Sequence, residues 1–473
     1  MCRCRGGLAA GVLLATVAIA VSAPATAFGA PTKTLDARLT AKLHRAGFTG
    51  RIESTLETRL GRQLDHRLAN VGRFLWFDTI TGLNDDNTCA GCHSPTNGFG
   101  DSQPIAIGIG NNGIVGPDRT GPRNMRHTPM VLNTAFFPKL MWNSRFASLS
   151  VNPFDNTAGF EFPAPEGTSL SGEPHLLDAQ AFIPPTERTE VAGFAFRGNN
   201  DDIRAEVMHR LNQTEQYRRL FGEVFEPVRQ GAPINYDMFA RAIAEFEFTL
   251  TFANAPIDRY ARGETGAMTR SEKRGALLFF GKAGCVGCHA VAGSSNEMFS
   301  DFREHAIGVP QLVPKVTNNE FDGEPENRDF GREEVSRRTA DRYAFRTPSL
   351  RNVAVEAAFM HDGAFTSLAG AIRHHLDPFA SLLAYNPVAQ GLPSDLSGPI
   401  SPTLPLLLQL DPRIASPPSL TRSEFRDLLA FVRDGLLDPR AKPGYLRQLV
   451  PESLPSGRPP LRFEFPPEPR LRH

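Results

Sequence analysis

Apolar residues recur at helical spacing along the chain. Phe239, Ile243, Phe246 and Leu250 fall on one face of a 3.6-residue period. Phe425, Leu428, Leu429 and Val432 do the same just after Thr421-x-x-Glu424, a capping box that marks a helix start. A second box, Thr269-x-x-Glu272, opens another helix. Gly72-x-x-Leu75-x-Phe77 and Gly275-x-x-Leu278-x-Phe280 form a weak internal repeat, each reading as the end of a short helix that leads into a loop. The stripes read as core rather than as sites. The pattern predicts a mainly α chain with long loops, in keeping with 41 Gly and 39 Pro.

At 473 residues the chain is too long for one small core, so two domains are expected. Lys+Arg and Asp+Glu both total 51, and that balance argues against a nucleic-acid binder. Arg3 and Arg5, the 14-residue apolar run Leu8 to Val21 and the small-residue sites Ala25-Thr26-Ala27 and Phe28-Gly29-Ala30 read as a secretory signal over residues 1–30. The run is short for a bilayer span, and no other stretch reaches 18 apolar residues, so no membrane span is expected in the mature chain. Export to the periplasm is the expected location.

Cleavage there removes Cys2 and Cys4 and leaves Cys89, Cys92, Cys285 and Cys288. Exported thiols usually pair as disulfides. Here all four fall in Cys89-Ala90-Gly91-Cys92-His93 and Cys285-Val286-Gly287-Cys288-His289, two copies of C-x-x-C-H. That spacing lets two thiols add to the two vinyl groups of a haem and sets the following His under the iron. The residue frequencies give about 0.002 chance matches, so two copies using every remaining Cys point to two covalent haem c groups. A thioredoxin-like dithiol needs no following His, and a zinc site would need both Cys pairs brought together.

These motifs sit among further segments: Gly72-Arg73-Phe74-Leu75-Trp76-Phe77-Asp78, Asn97-Gly98-Phe99-Gly100-Asp101, Met141-Trp142-Asn143-Ser144-Arg145, His305-Ala306-Ile307-Gly308-Val309-Pro310, Phe345 to Val353, and Met360-His361-Asp362-Gly363. In this order, over about residues 70–437, the chain resembles the bacterial di-haem cytochrome c peroxidases and their relative MauG. The resemblance implies two cytochrome c-like domains with a calcium ion between them. It also implies peroxide reduction, or peroxide-driven oxidation of a partner protein. The expected layout is a haem domain over 31–255, a second over 256–440, and a Pro/Arg-rich tail over 441–473 that wraps the surface.

Carried over residue by residue, the resemblance assigns the peroxide pocket of the first haem to Gln180, Pro184 four residues on and Glu190 ten residues on. A carboxylate there can take a proton from the inner peroxide oxygen and return it to the outer one. Trp142 matches the family's relay between the haems. It lies 38 residues before Gln180, further than in the family, and the inserted stretch at about 146–176 is rich in Gly, Pro, Ser and Phe, which suits a lid or docking surface. Family peroxidases often block the first iron with a loop His, but no His occurs between His93 and His127, and Ala106–Gly110 offers only Ile109. The first haem is expected open, with Met125 and His127 the alternatives. For the second haem, counting 14 residues from His361 gives His375 as the sixth ligand, and adjacent His374 points elsewhere on a helix. Calcium falls to Asn124 and to the backbone carbonyls of Glu356 and Ala358, although counting back from Pro129 puts His127 at the Asn position.

The reading is a periplasmic di-haem peroxidase taking electrons from a small c-type cytochrome or a cupredoxin. The alternative is a MauG-like enzyme acting on a protein substrate, and bis-imidazole ligation of the second haem, which keeps its potential low, tilts toward it. A pure electron-transfer cytochrome is a third class, and it needs neither an open site nor a pocket carboxylate. A homodimer is expected by analogy with family peroxidases.

Overall fold

The computed structural model describes Met1 and residues 34–162, 170, 172–318, 327–416 and 418–466. Residues 2–30 of the expected signal lie outside the described residues, as do the end of the tail and part of the 146–176 insertion. The chain is largely helical, 43% helix against 6% strand. Strands occur only as short pairings. Lys139–Leu140, Phe146–Ser148 and Phe160–Glu161 form a three-stranded antiparallel sheet, and Glu304–His305 pairs with Phe345–Arg346.

Within Leu35–His473 the buried side chains form two large clusters. The first runs from Ile52 to Ala253 and adds Met298, Phe302 and residues after Ala441. The second takes Leu39, Leu43, Phe48 and Ile105, then Ala255 to Leu436. Each cluster contains one C-x-x-C-H motif at its edge, with Cys89 against the first and Cys285 against the second.

The internal repeat has a packing cause. Helix His66–Phe77 crosses helix Tyr236–Thr249, and a Cβ at Gly72 would overlap the Ala242 carbonyl oxygen. Helix Arg270–Phe279 crosses helix Arg422–Ala430, and a Cβ at Gly275 would overlap the Asp427 carbonyl oxygen. Only glycine allows either close approach. Both expected capping boxes form: Thr269 accepts from Glu272 N, and Thr421 accepts from Glu424 N. Phe239 and Phe246 are almost fully buried, as the helical stripe requires, while Phe425 is only half-buried under Arg373. Full burial of such side chains contributes about 1.5–3 kcal/mol each.

Two segments differ from expectation. The tail does more than lie extended on the surface. Leu446 and Leu454 are buried in the first cluster, and Arg462–Phe463 pairs in parallel with Ile114–Val115. Apolar residues spaced through the Pro/Arg-rich stretch give it something to bury. The described part of the insertion also contributes to the core, since Phe146, Phe160, Phe162 and Leu170 are buried in the first cluster, while Leu149 and Val151 between them are exposed.

Candidate active site

Helix His66–Phe77 ends with Trp76 and Phe77 buried, and Trp76 packs near Phe99 and Phe246. This aromatic wall lies against the first motif, with the Trp76 and His93 rings 5.8 Å apart. Cys89–Cys92 forms a single helical turn, closed by His93 N donating to Cys89 O at 2.8 Å. Burial pushes the Cys89 and Cys92 thiols up to about 12 and the His93 imidazole down to about 4. Protonated thiols do not suit a redox dithiol, which needs a lowered pKa. A neutral imidazole suits an iron ligand.

Cys89, Cys92 and His93 line a cavity of ≈ 340 Å³, within the range of cofactor pockets. The structure brings Trp142, Gln180, Pro184 and Glu190 to the walls of the same cavity. Arg346 also lines it and is a cation that could face a carboxylate of a haem, whereas Arg126, on the same wall, is bonded to Asp329 and Glu334. The residues present therefore fit a covalently held haem on His93.

Glu190 sits in a one-turn π-helix, Arg188–Ala192, a geometry common at functional sites. Burial pushes its carboxyl up to about 7, with the Glu187 charge adding to the rise and Arg145 opposing it. Arg145 and Glu187 form an ion pair at 3.1 Å, and both line the cavity. The turn is tied to the haem motif by Asn87, whose Nδ2 donates to Glu190 O at 2.9 Å and lies 3.6 Å from Cys92 Sγ. Arg119 Nη2 donates to Asn87 Oδ1 at 2.9 Å and fixes the amide's orientation. The loop carrying Ile109 also braces this turn: Ile109 N donates to Thr189 O at 3.2 Å, and Gly108 passes close against the same carbonyl. Ile109 is not among the cavity-lining residues, whereas Met125 and His127 are.

Sequence reasoning missed Asn87, the Arg145–Glu187 pair and Glu247. Glu247 is buried, lines the cavity, and is pushed up to about 8 by burial. Nothing in local spacing marks these residues, because their key contacts are distant in the chain: Asn87 reaches Glu190 across 103 positions and Arg145 reaches Glu187 across 42. Of the carboxylates in the insertion, Glu161 is exposed and Glu166 lies outside the described residues.

Trp142 Nε1 donates to His127 O at 2.7 Å, and His127 N donates to His361 O at 2.7 Å. This backbone chain joins the first cavity to the His-Asp-Gly segment. Asn124 Oδ1 is buried without a partner, which suits a cation. Calcium, however, takes oxygen ligands, 6–8 of them. The side chain that reaches toward Glu356 here is an imidazole, His127 Nε2, at 3.9 Å from Glu356 Oε2. That ring nitrogen is a donor type calcium does not take, whereas the expected carbonyls of Glu356 and Ala358 are oxygens.

At the second motif His289 and His375 face each other, with ring centres 6.3 Å apart. Their Nδ1 atoms meet backbone carbonyls, Phe299 O at 2.9 Å and Ala371 O at 2.8 Å. A carbonyl only accepts, so Nδ1 carries the proton and Nε2 keeps its lone pair. An imidazole nitrogen binds a first-row metal at about 2 Å, so two rings facing across one iron lie roughly 6 Å apart. His374 turns away, to Ser381 Oγ at 3.0 Å and Ile307 O at 2.8 Å. Cys285, Cys288, His289 and His375 are therefore the residues that would hold a second haem, the two Cys through thioethers and the two imidazoles through Nε2.

A helical chain with two such sites defines a di-haem oxidoreductase of the c type. Residues 66–266 match the family model described as di-haem cytochrome c peroxidase. The chain is 31% identical over 306 residues to "Methylamine utilization protein MauG" of Methylorubrum extorquens, covering 65% of this chain and 67% of that one. It is 25% identical over 320 residues to "Cytochrome c551 peroxidase" of Pseudomonas aeruginosa, covering 68% and 74%. Among solved structures, a MauG-like protein associated with microbial copper homeostasis superposes with TM-score 0.56 at 23% identity, covering 80% of this chain and 91% of that one. The chain belongs to the di-haem cytochrome c peroxidase and MauG family. It is an oxidoreductase, and the family implies two haem c groups.

Proposed function

We propose that this enzyme is exported to the periplasm and reduces hydrogen peroxide at the haem held by Cys89, Cys92 and His93, with electrons relayed from the haem held by Cys285, Cys288, His289 and His375. When bound, the first haem supplies an open iron position and electrons for breaking the O–O bond. The protein's part is proton handling and orientation. Glu190 takes the proton from the inner peroxide oxygen and returns it to the outer one, so that two electrons and two protons convert peroxide to two waters. Gln180 offers an amide to orient peroxide, Pro184 narrows the cavity, and Trp142 bridges toward the second haem. The meeting of Gln180, Pro184, Glu190 and His93 on one cavity carries this reading. The two core clusters, each with one motif, support one haem in each of two domains, 31–255 and 256–440.

The electron donor proposed is a small c-type cytochrome or a cupredoxin. Steady-state peroxide consumption by the holoprotein, with such a reduced donor, tests the reading. Sustained turnover supports it, and no turnover with donors of either kind counts against it. A second reading has one specific observation in its favour: an imidazole, His375, faces His289. Bis-imidazole ligation leaves a haem at lower potential than Met ligation, which suits storing an oxidising equivalent for a side chain of a protein substrate. A peroxide-dependent mass change in a partner protein, without donor turnover, would favour it.

A further inference from the structure

His127 is held in one orientation. Its Nδ1 faces two backbone carbonyl oxygens, Gln103 O at 2.9 Å and Pro104 O at 3.1 Å. A carbonyl has no proton to give, so the ring proton is on Nδ1 and Nε2 presents a lone pair. That Nε2 is buried and has no hydrogen-bond partner, and the His127 side chain is 0% exposed. The Glu356 carboxylate stands 3.9 Å from it, beyond hydrogen-bond reach. Asn124 Oδ1 is also buried without a partner, and Asn124 lines the same cavity as His127. Among the described residues His127 Nε2 and Asn124 Oδ1 are thus buried acceptors without a hydrogen-bond partner, with the Glu356 carboxylate beside the imidazole. Most buried polar groups in proteins are paired, so each one left without a partner calls for an explanation.

A cation would give both orphaned atoms a partner and pair with the carboxylate. Two ligand atoms each about 2.0–2.2 Å from a shared ion lie roughly 3–4 Å apart, and 3.9 Å falls in that span. A metal-binding His commonly donates its other N–H to a backbone carbonyl, as Nδ1 does here. The donor types select the ion. Calcium takes oxygen alone, whereas imidazole suits zinc and its first-row neighbours.

We propose that His127 Nε2, the Glu356 carboxylate and Asn124 Oδ1 bind a divalent first-row transition ion of the zinc type, beside Trp142, in place of calcium. The site does not depend on the peroxidase reading, since its readout is metal content.

The test uses the full holoprotein, stripped with chelator, incubated with zinc alone or calcium alone, and desalted. Plasma mass spectrometry then gives metal per chain against the two haem irons. One zinc per chain and no retained calcium is the expected result. His127→Ala, His127→Asn and Glu356→Gln should each weaken zinc binding by roughly tenfold or more, with haem content as the check on folding. Any one of the three that keeps both haems suffices. Stoichiometric calcium without zinc, retention of neither ion, or undiminished zinc in the haem-replete variants would overturn the proposal.

Discussion

The imidazole of His375 faces that of His289 with ring centres 6.3 Å apart, while His374, one residue earlier, is bonded to Ser381 and Ile307. Adjacent residues on helix Leu368–Leu376 point about 100° apart, so one of the pair serves the motif and the other the packing. His375→Ala should convert the low-spin signal of the second haem in electron paramagnetic resonance. His374→Ala should leave that signal in place and cost about 1–3 kcal/mol, because the Ile307 carbonyl and Ser381 lose a buried partner.

The resting diferric protein should show one high-spin and one low-spin haem without prior reduction. Ile109 has no side-chain atom able to bind iron, and its backbone N–H braces Thr189 O. Met125 and His127 line the cavity and carry the ligand atoms most able to interfere; His127 Nε2 is the atom assigned to a separate metal ion, which leaves Met125 to be tested. Paramagnetic resonance of the untreated sample checks this, and Met125→Leu should leave the high-spin signal unchanged.

The parts of this arrangement that can be read from the sequence alone are those built on short-range pattern. The two C-x-x-C-H motifs, the capping boxes at Thr269 and Thr421, and the Gly72 and Gly275 repeat all act within a turn or two of chain. Gln180, Pro184 and Glu190 were assignable only through resemblance, since their spacing alone looks like any polar loop. Asn87 reaching Glu190, and His127 facing Glu356, join residues more than 100 positions apart. Such pairs leave no periodic trace. The core role of Phe146, Phe160 and Phe162 was hidden because their stretch has loop composition.

Asn87 should prove to be a positioning residue. It is fully buried and links Arg119, the Cys92 turn and the Glu190 backbone. Asn87→Ala leaves the Arg119 guanidinium short of an acceptor and costs about 1–3 kcal/mol of stability. It should also slow the peroxide reaction and move its pH midpoint, whereas a purely structural residue would shift neither at a temperature where the variant is folded.

The second cluster depends on one buried ion pair. Arg351 and Asp258 are 1% and 0% exposed at the side chain and bond in a fork at 2.8 and 2.9 Å. Asp258→Ala should destabilise the holoprotein by about 3–5 kcal/mol in denaturant unfolding, because it strands a buried charge.

The central claim is that Glu190 moves the peroxide proton, and stopped-flow mixing of the diferric protein with hydrogen peroxide tests it most directly. Burial raises the Glu190 carboxyl to about 7. Below that pH the group is protonated and cannot act as base, and above it the carboxylate is available. The wild-type rate should therefore rise with pH through about 7. Glu190→Gln keeps the volume and hydrogen-bonding but cannot carry a proton. It should react about 10²–10⁴-fold more slowly, without that rise and with both haem spectra unchanged. A Gln variant that reacts as fast as wild type, with the same pH profile, would contradict the account.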